Sequence, residues 1–111
     1  MDHVWHKLTF NSDPKLSGEI TKIYNLAQCA YETANRPKDF AVFVGMEFPE
    51  DEHTPTSVMY LSPVAAPLCA SDMLRMKLSA VPCDVPIRND PGLRLLFPAN
   101  SDEARALLGS C

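Results

Sequence analysis

Five consecutive apolar residues limit the fold of this chain more than any other feature. Residues 40–44 read FAVFV and are apolar at every position. A strand with one face in water alternates apolar and polar side chains, whereas an unbroken run is typical of a strand that is covered on both sides. Met46 and Phe48 extend one of its faces. The run therefore predicts a strand in the middle of a sheet.

A second apolar stretch predicts the neighbouring strand. Residues 57–61 (SVMYL) are rich in residues that favour strands. The connection, residues 47–57 (EFPEDEHTPTS), is the most polar run of the chain. Pro49 and Pro55 lack a backbone N–H, so strand pairing should lapse between them. We interpret this acidic loop as the solvated tip of a hairpin.

The N-terminal third predicts a strand followed by a helix. Residues 4–10 alternate apolar and polar side chains, which indicates a strand with one apolar face. Either Asp13 or Ser17 can cap the helix, which should end near Asn35 because Pro37 cannot continue it. The apolar stripe of this helix consists of Ile20, Ile23, Tyr24, Ala27, Ala30, Tyr31 and Ala34.

The C-terminal half predicts shorter elements. Ser62 can cap a helix that Pro67 interrupts, which predicts one or two short helical turns. Residues 74–80 alternate as a half-exposed strand does, although a helix from Ser71 is an alternative. Residues 81–92 hold three prolines, the last of them in the turn Asp90-Pro91-Gly92, and predict a loop. Residues 93–97 predict a last strand. Asn100 can cap a final helix.

Together these predictions describe one α+β domain over residues 1–111. A small sheet would be covered on one face by one long amphipathic helix. The order of elements is compatible with a ferredoxin-like β-α-β-β-α-β arrangement followed by a C-terminal helix. Element order alone implies no function.

Composition argues against several classes of protein. The net charge is −4, and the closest approach to a basic cluster is Arg75 with Lys77, so we expect no nucleic-acid partner. We expect no membrane association, because no apolar run is long enough to span a bilayer. The start of the chain lacks the features of a secretory signal, so we expect a cytoplasmic protein with reduced thiols. Cys29 and Cys69 should be small core residues.

The acidic loop contains the candidate metal ligands Glu50, Glu52 and His53. Carboxylate and imidazole groups bind zinc or manganese, but their spacing here matches no known metal-binding pattern. A solvated loop is the preferred interpretation. A metal site and an acidic surface for a protein partner are the alternatives.

His6 and His53 are the candidate catalytic bases. Histidine titrates near neutral pH and can accept a proton from a substrate. His6 shares a strand face with Val4 and Leu8, so the competing interpretation is a half-buried histidine that is bonded to backbone.

Aromatic residues supply a candidate ligand-binding set. Such side chains can line an adaptable pocket between the long helix and the sheet, or they can be ordinary core. The candidates are Trp5, His6, Tyr24, Tyr31 and Tyr60.

These observations favour a non-catalytic binding or interaction module. We expect a homodimer without a cofactor that binds a small apolar ligand or a protein partner. The alternatives are a small cofactor-independent enzyme with a histidine base, and an acidic inhibitor that occludes a basic surface through residues 47–53.

Overall fold

The computed structural model describes residues 4–10, 16–47, 56–75, 80–87, 92–99 and 101–109. Their secondary structure comprises β1 (Trp5–Phe10), α1 (Leu16–Thr33), β2 (Val42–Glu47), β3 (Thr56–Leu61), α2 (Ala65–Arg75), β4 (Val81–Cys83), β5 (Arg94–Phe97) and α3 (Asp102–Arg105). The described strands form one antiparallel sheet in the order β4-β1-β3-β2-β5. The prediction of an α+β fold is confirmed.

The two apolar runs form adjacent strands, as predicted. β2 pairs with β3 along its whole length, from Val42 opposite Leu61 to Glu47 opposite Thr56. On its other side β2 pairs with β5, so it has a neighbour on both edges. Phe40 and Ala41 precede the strand and are buried as well.

Two helices pack on one face of the sheet. Ile23 and Ala27 of α1 and Cys69 of α2 are buried against Leu8 and Met59 of the sheet. Most of the predicted stripe is confirmed, since all its members except Ala34 belong to this core, whereas Leu26 also packs there and was not predicted. The helix starts at Leu16 and ends at Thr33, before Ala34. The expectation that one long helix covers this face omitted α2.

The opposite face of the sheet is also covered, so the prediction of a sheet covered on one face is wrong. Trp5 and Phe43 lie on this second face and form a separate core cluster with Ala104 and Leu108 from the C-terminal segment. The reason lies in the FAVFV run itself. Alternation along β2 places Val42 on the helical face and Phe43 on the second face, so both faces need a cover.

The strand predicted over residues 74–80 is wrong as far as the structure describes it, because α2 continues to Arg75. Residues 76–79 lie outside the described residues.

Ser62 caps the start of α2 as predicted, since its Oγ accepts a hydrogen bond from the N–H of Ala65 at 3.3 Å. Pro67 does not interrupt α2, which runs through it from Ala65 to Arg75. With Ser62 as the cap, the missing N–H of Pro67 removes only the one hydrogen bond to the carbonyl of Pro63, near the start of the helix.

β4 was predicted as part of a loop and is instead an edge strand. Cys83 lies opposite Trp5, and Val81 lies opposite Lys7. Three prolines between residues 81 and 91 hid the strand, but an edge strand tolerates proline because one side of its backbone has no partner.

The final helix is capped one residue later than predicted. The side chain of Ser101 accepts a hydrogen bond from the N–H of Ala104 at 3.1 Å, which makes Ser101 the N-cap. Asn100, the predicted cap, lies outside the described residues.

One of the two predictions of a buried cysteine is confirmed and the other is wrong. Cys69 is buried, as predicted, whereas Cys29 is exposed on α1, contrary to prediction. Neither of them forms a disulfide bond among the described residues, and neither does Cys83.

None of the described helices is long and apolar enough to cross a membrane.

Candidate ligand-binding cavity

A cavity of about 520 Å³ lies on the second face of the sheet, between β5 and the C-terminal segment. Ligand-binding pockets in proteins commonly have volumes of about 300–1,000 Å³. It is partly open to solvent. The residues that line it are Phe43, Leu93, Arg94, Leu95, Arg105 and Leu108.

The floor of the cavity is apolar because β2 and β5, which are neighbours in the sheet, present large side chains on the second face. Phe43 of β2 lies opposite Leu95 of β5 in the sheet. The ring of Trp5 packs against Phe43, with ring centroids 6.0 Å apart. Leu93 lies over Gly45, where an added Cβ would be 3.4 Å from its Cδ1. The cavity therefore borders a packed core cluster.

The C-terminal segment forms the opposite wall. Ala104 and Leu108 are buried, which anchors α3 and the residues after it on the sheet. Beyond them, Gly109 N–H donates to the carbonyl of Pro86 at 2.9 Å. A parallel bridge between Ile87 and Gly109 fixes the same contact. The wall is thus held at both ends.

Two arginines contribute the charge at the cavity. Arg105 is exposed in the last turn of α3, and Arg94 is exposed at the start of β5. In the part of the chain that the structure describes, neither guanidinium group forms an ion pair. Arg94 lies opposite Val44, and it also lines a second cavity of about 290 Å³ beside α1.

The predicted ligand-binding residues do not form one site. Tyr24 and Tyr31 lie on the helical face, where Tyr31 packs against Phe40 and Phe97 at centroid distances of 5.4 and 5.2 Å. Tyr24 contacts the ring of Phe97 at 5.6 Å. This aromatic cluster belongs to the core beneath α1.

The other aromatic candidates lie on the second face of the sheet. Tyr60 packs against the core cluster that contains Trp5. Trp5 also lines a small cavity of about 260 Å³ with Asp39, Pro63 and Leu107. The sheet therefore separates Trp5 and Tyr60 from the two tyrosines of α1.

His6 is half-buried on β1, opposite Leu61. Its Nδ1 lies 3.1 Å from the carbonyl oxygen of Val4. A carbonyl oxygen only accepts, so the ring donates from Nδ1 in this contact. A catalytic role for His6 stays a prediction.

Apart from its two ends, the acidic loop lies outside the described residues. Glu50, Glu52 and His53 all lie outside the described residues, so the metal site and the second candidate base stay predictions. Among the residues that the structure describes, there is no group of three or more His, Cys, Asp or Glu side chains that could hold a metal ion.

The cavity-lining residues were not predicted as a site. The alternation Leu93-Arg94-Leu95 carries a signal, because it places two leucines on one strand face. The step from Arg105 to Leu108 likewise places both on one side of a helical turn. Nothing in either pattern shows that β5 and the C-terminal segment meet over Phe43.

Comparison of this chain with protein-family models, with curated proteins and with solved structures finds no match.

Proposed function

We propose that this chain is a non-catalytic binding module that holds a small, largely apolar ligand in the cavity over Phe43. The cavity itself carries this proposal. Its floor consists of Phe43, Leu93 and Leu95, and its volume suits a small organic molecule. Apolar contact with such a floor supplies binding free energy, at roughly 25 cal/mol for each Å² removed from water.

The arrangement of the sheet supports a defined fold for this module. We propose that β1 to β4, with α1 and α2, form a ferredoxin-like unit to which β5 is added beside β2. The observation that supports it is the strand order β4-β1-β3-β2, in which β3 separates the two strands that α1 connects. In this arrangement the helices occupy one face and leave the second face to the C-terminal segment and a ligand.

Binding of octanol tests the proposal, because octanol is neutral and mostly apolar. Titration of octanol into isotopically labelled protein should shift the amide resonances of Phe43, Leu95 and Leu108. Leu93→Trp should weaken this binding about tenfold or more, since the larger side chain occupies the cavity.

Leu68→Trp is the matched control, because Leu68 is an exposed leucine on α2 and does not line the cavity. It should leave octanol binding unchanged. Absence of octanol binding, or equal weakening by both tryptophan variants, would contradict the proposal.

A further inference from the structure

We infer that the ligand of this cavity is an amphiphilic carboxylate, whose anionic head is recognised by Arg105 and Arg94. This inference rests on the proposed binding function and adds the charge and chemical class of the ligand.

The observation that carries it is the composition of the cavity lining. The lining residues divide into four apolar side chains and two arginines. A guanidinium group is charged at every physiological pH and offers a planar set of N–H donors that matches the two oxygens of a carboxylate. Apolar and cationic groups thus lie side by side, as an amphiphilic anion requires.

Arg105 is the principal recognition residue. It lies on α3 between Ala104, which is buried against the sheet, and Leu108, which lines the same cavity. Because α3 is capped by Ser101 and anchored by Ala104, the backbone of Arg105 is held beside the apolar floor. The helix positions the charge, and the exposed side chain leaves the guanidinium accessible.

Arg94 contributes from the edge of the sheet. Arg94 lies opposite Val44, so its side chain starts on the sheet face away from Phe43. Because β5 is an edge strand, Arg94 nevertheless borders the cavities on both faces. We therefore expect Arg94 to assist binding of the anion and to contribute less than Arg105.

The net charge of the whole chain opposes non-specific binding of anions. Fourteen acidic residues against ten basic ones give a net charge of −4, so the protein as a whole repels anions. Attraction of an anion has to come from short-range contacts with particular cations. Binding that depends on Arg105 would not be a general electrostatic effect.

The test compares three probes of equal chain length, octanol, octanoate and octylammonium, at neutral pH. Octanoate should bind about tenfold more tightly than octanol, and octylammonium more weakly than octanol. Arg105→Gln should reduce octanoate affinity about tenfold, and Arg94→Gln by a smaller factor. Both variants should reduce octanoate affinity by a larger factor than octanol affinity, because only octanoate carries the charge that a guanidinium group binds.

Lys38→Gln is the matched control, because Lys38 is exposed in the turn after α1 and does not line the cavity. It removes the same unit of charge and should leave octanoate affinity unchanged.

The outcomes separate the two proposals. If octanol binds and octanoate binds no more tightly, the inference about the carboxylate fails while the binding function stands. Equal losses in Arg105→Gln and Lys38→Gln would also overturn the inference. If none of the probes binds, both proposals fail.

Discussion

At the scale of single residues, Ser62 connects three parts of the fold through one hydroxyl group. Its Oγ accepts the N–H of Ala41 at 2.9 Å and donates to the carbonyl of Asp39 at 2.7 Å. The same oxygen accepts the N–H of Ala65 at the start of α2. Ser62 is fully buried, so water cannot replace these bonds.

Ser62→Ala should therefore lower the free energy of unfolding by about 2–3 kcal/mol, because it leaves two buried N–H groups without an acceptor and removes a helix cap. Urea denaturation measures the loss. Ser71→Ala, at an exposed position of α2, should change stability by less than about 0.5 kcal/mol. Similar results for both variants would show that the hydroxyl of Ser62 contributes little.

Asn35 ends α1 in the left-handed region, with φ of 66°. The N–H of Arg36 donates to the carbonyl of Tyr31 at 2.8 Å, and that of Asn35 donates to Glu32, which is the pattern of a Schellman motif. Asparagine tolerates positive φ better than residues with branched side chains.

Asn35→Val should accordingly cost about 1–2 kcal/mol, whereas Asn35→Gly should retain the stability of the parent. Thermal unfolding distinguishes them. Asn25→Val, at an exposed position within the same helix, is the control and should cost less than about 0.5 kcal/mol. A loss in Asn35→Gly as large as that in Asn35→Val would refute the conformational explanation.

At the scale of elements, the aromatic cluster fixes α1 on the sheet. Tyr31 contacts two rings, those of Phe40 and Phe97, while Tyr24 contacts one. Tyr31→Ala should lower the free energy of unfolding by about 2–4 kcal/mol, which is less than a fully buried aromatic residue costs because Tyr31 is half-buried.

Tyr24→Ala should cost less than Tyr31→Ala, and Tyr31→Phe should cost under about 1 kcal/mol because it keeps the ring contacts. Urea denaturation of the three variants checks this order. A small loss in Tyr31→Ala would instead indicate that the ring borders open space, as the prediction of a ligand pocket beneath α1 requires.

Sequence periodicity predicted the helices and strands in which one pattern of buried and exposed positions repeats from end to end. The stripe of α1 and the FAVFV run identified a helix and an interior strand, because each repeats one burial pattern over several residues. β4 was missed and α2 was predicted too short, because proline is tolerated at the edge of a sheet and near the start of a helix. The cavity was missed because it is lined by Phe43 and Leu108 together, which are far apart in the sequence.

At the scale of the whole molecule, both faces of the sheet are covered, so a second copy would have to bind elsewhere than on an open sheet face. The sequence predicted a homodimer because one helix could not cover the sheet, but the C-terminal segment covers much of the second face. The remaining exposed apolar side chains include three near the β4 edge. Val81, Val85 and Ile87 are 50%, 42% and 53% exposed.

We propose that a homodimer forms through these side chains. Pro82 in the centre of β4 has no N–H, so the contact would rest on apolar packing rather than on continued strand pairing. Burial of apolar patches of this kind is a common basis for association of symmetric copies.

Light scattering at micromolar concentration should give about twice the monomer mass of 12.3 kDa. Ile87→Lys should restore the monomer, because burying an unpaired ammonium group is unfavourable. Met46→Lys is the control, since Met46 is also exposed but lies on β2, with β3 and β1 between it and β4. A parent mass of 12.3 kDa, or dissociation by Met46→Lys alone, would exclude a dimer at this edge.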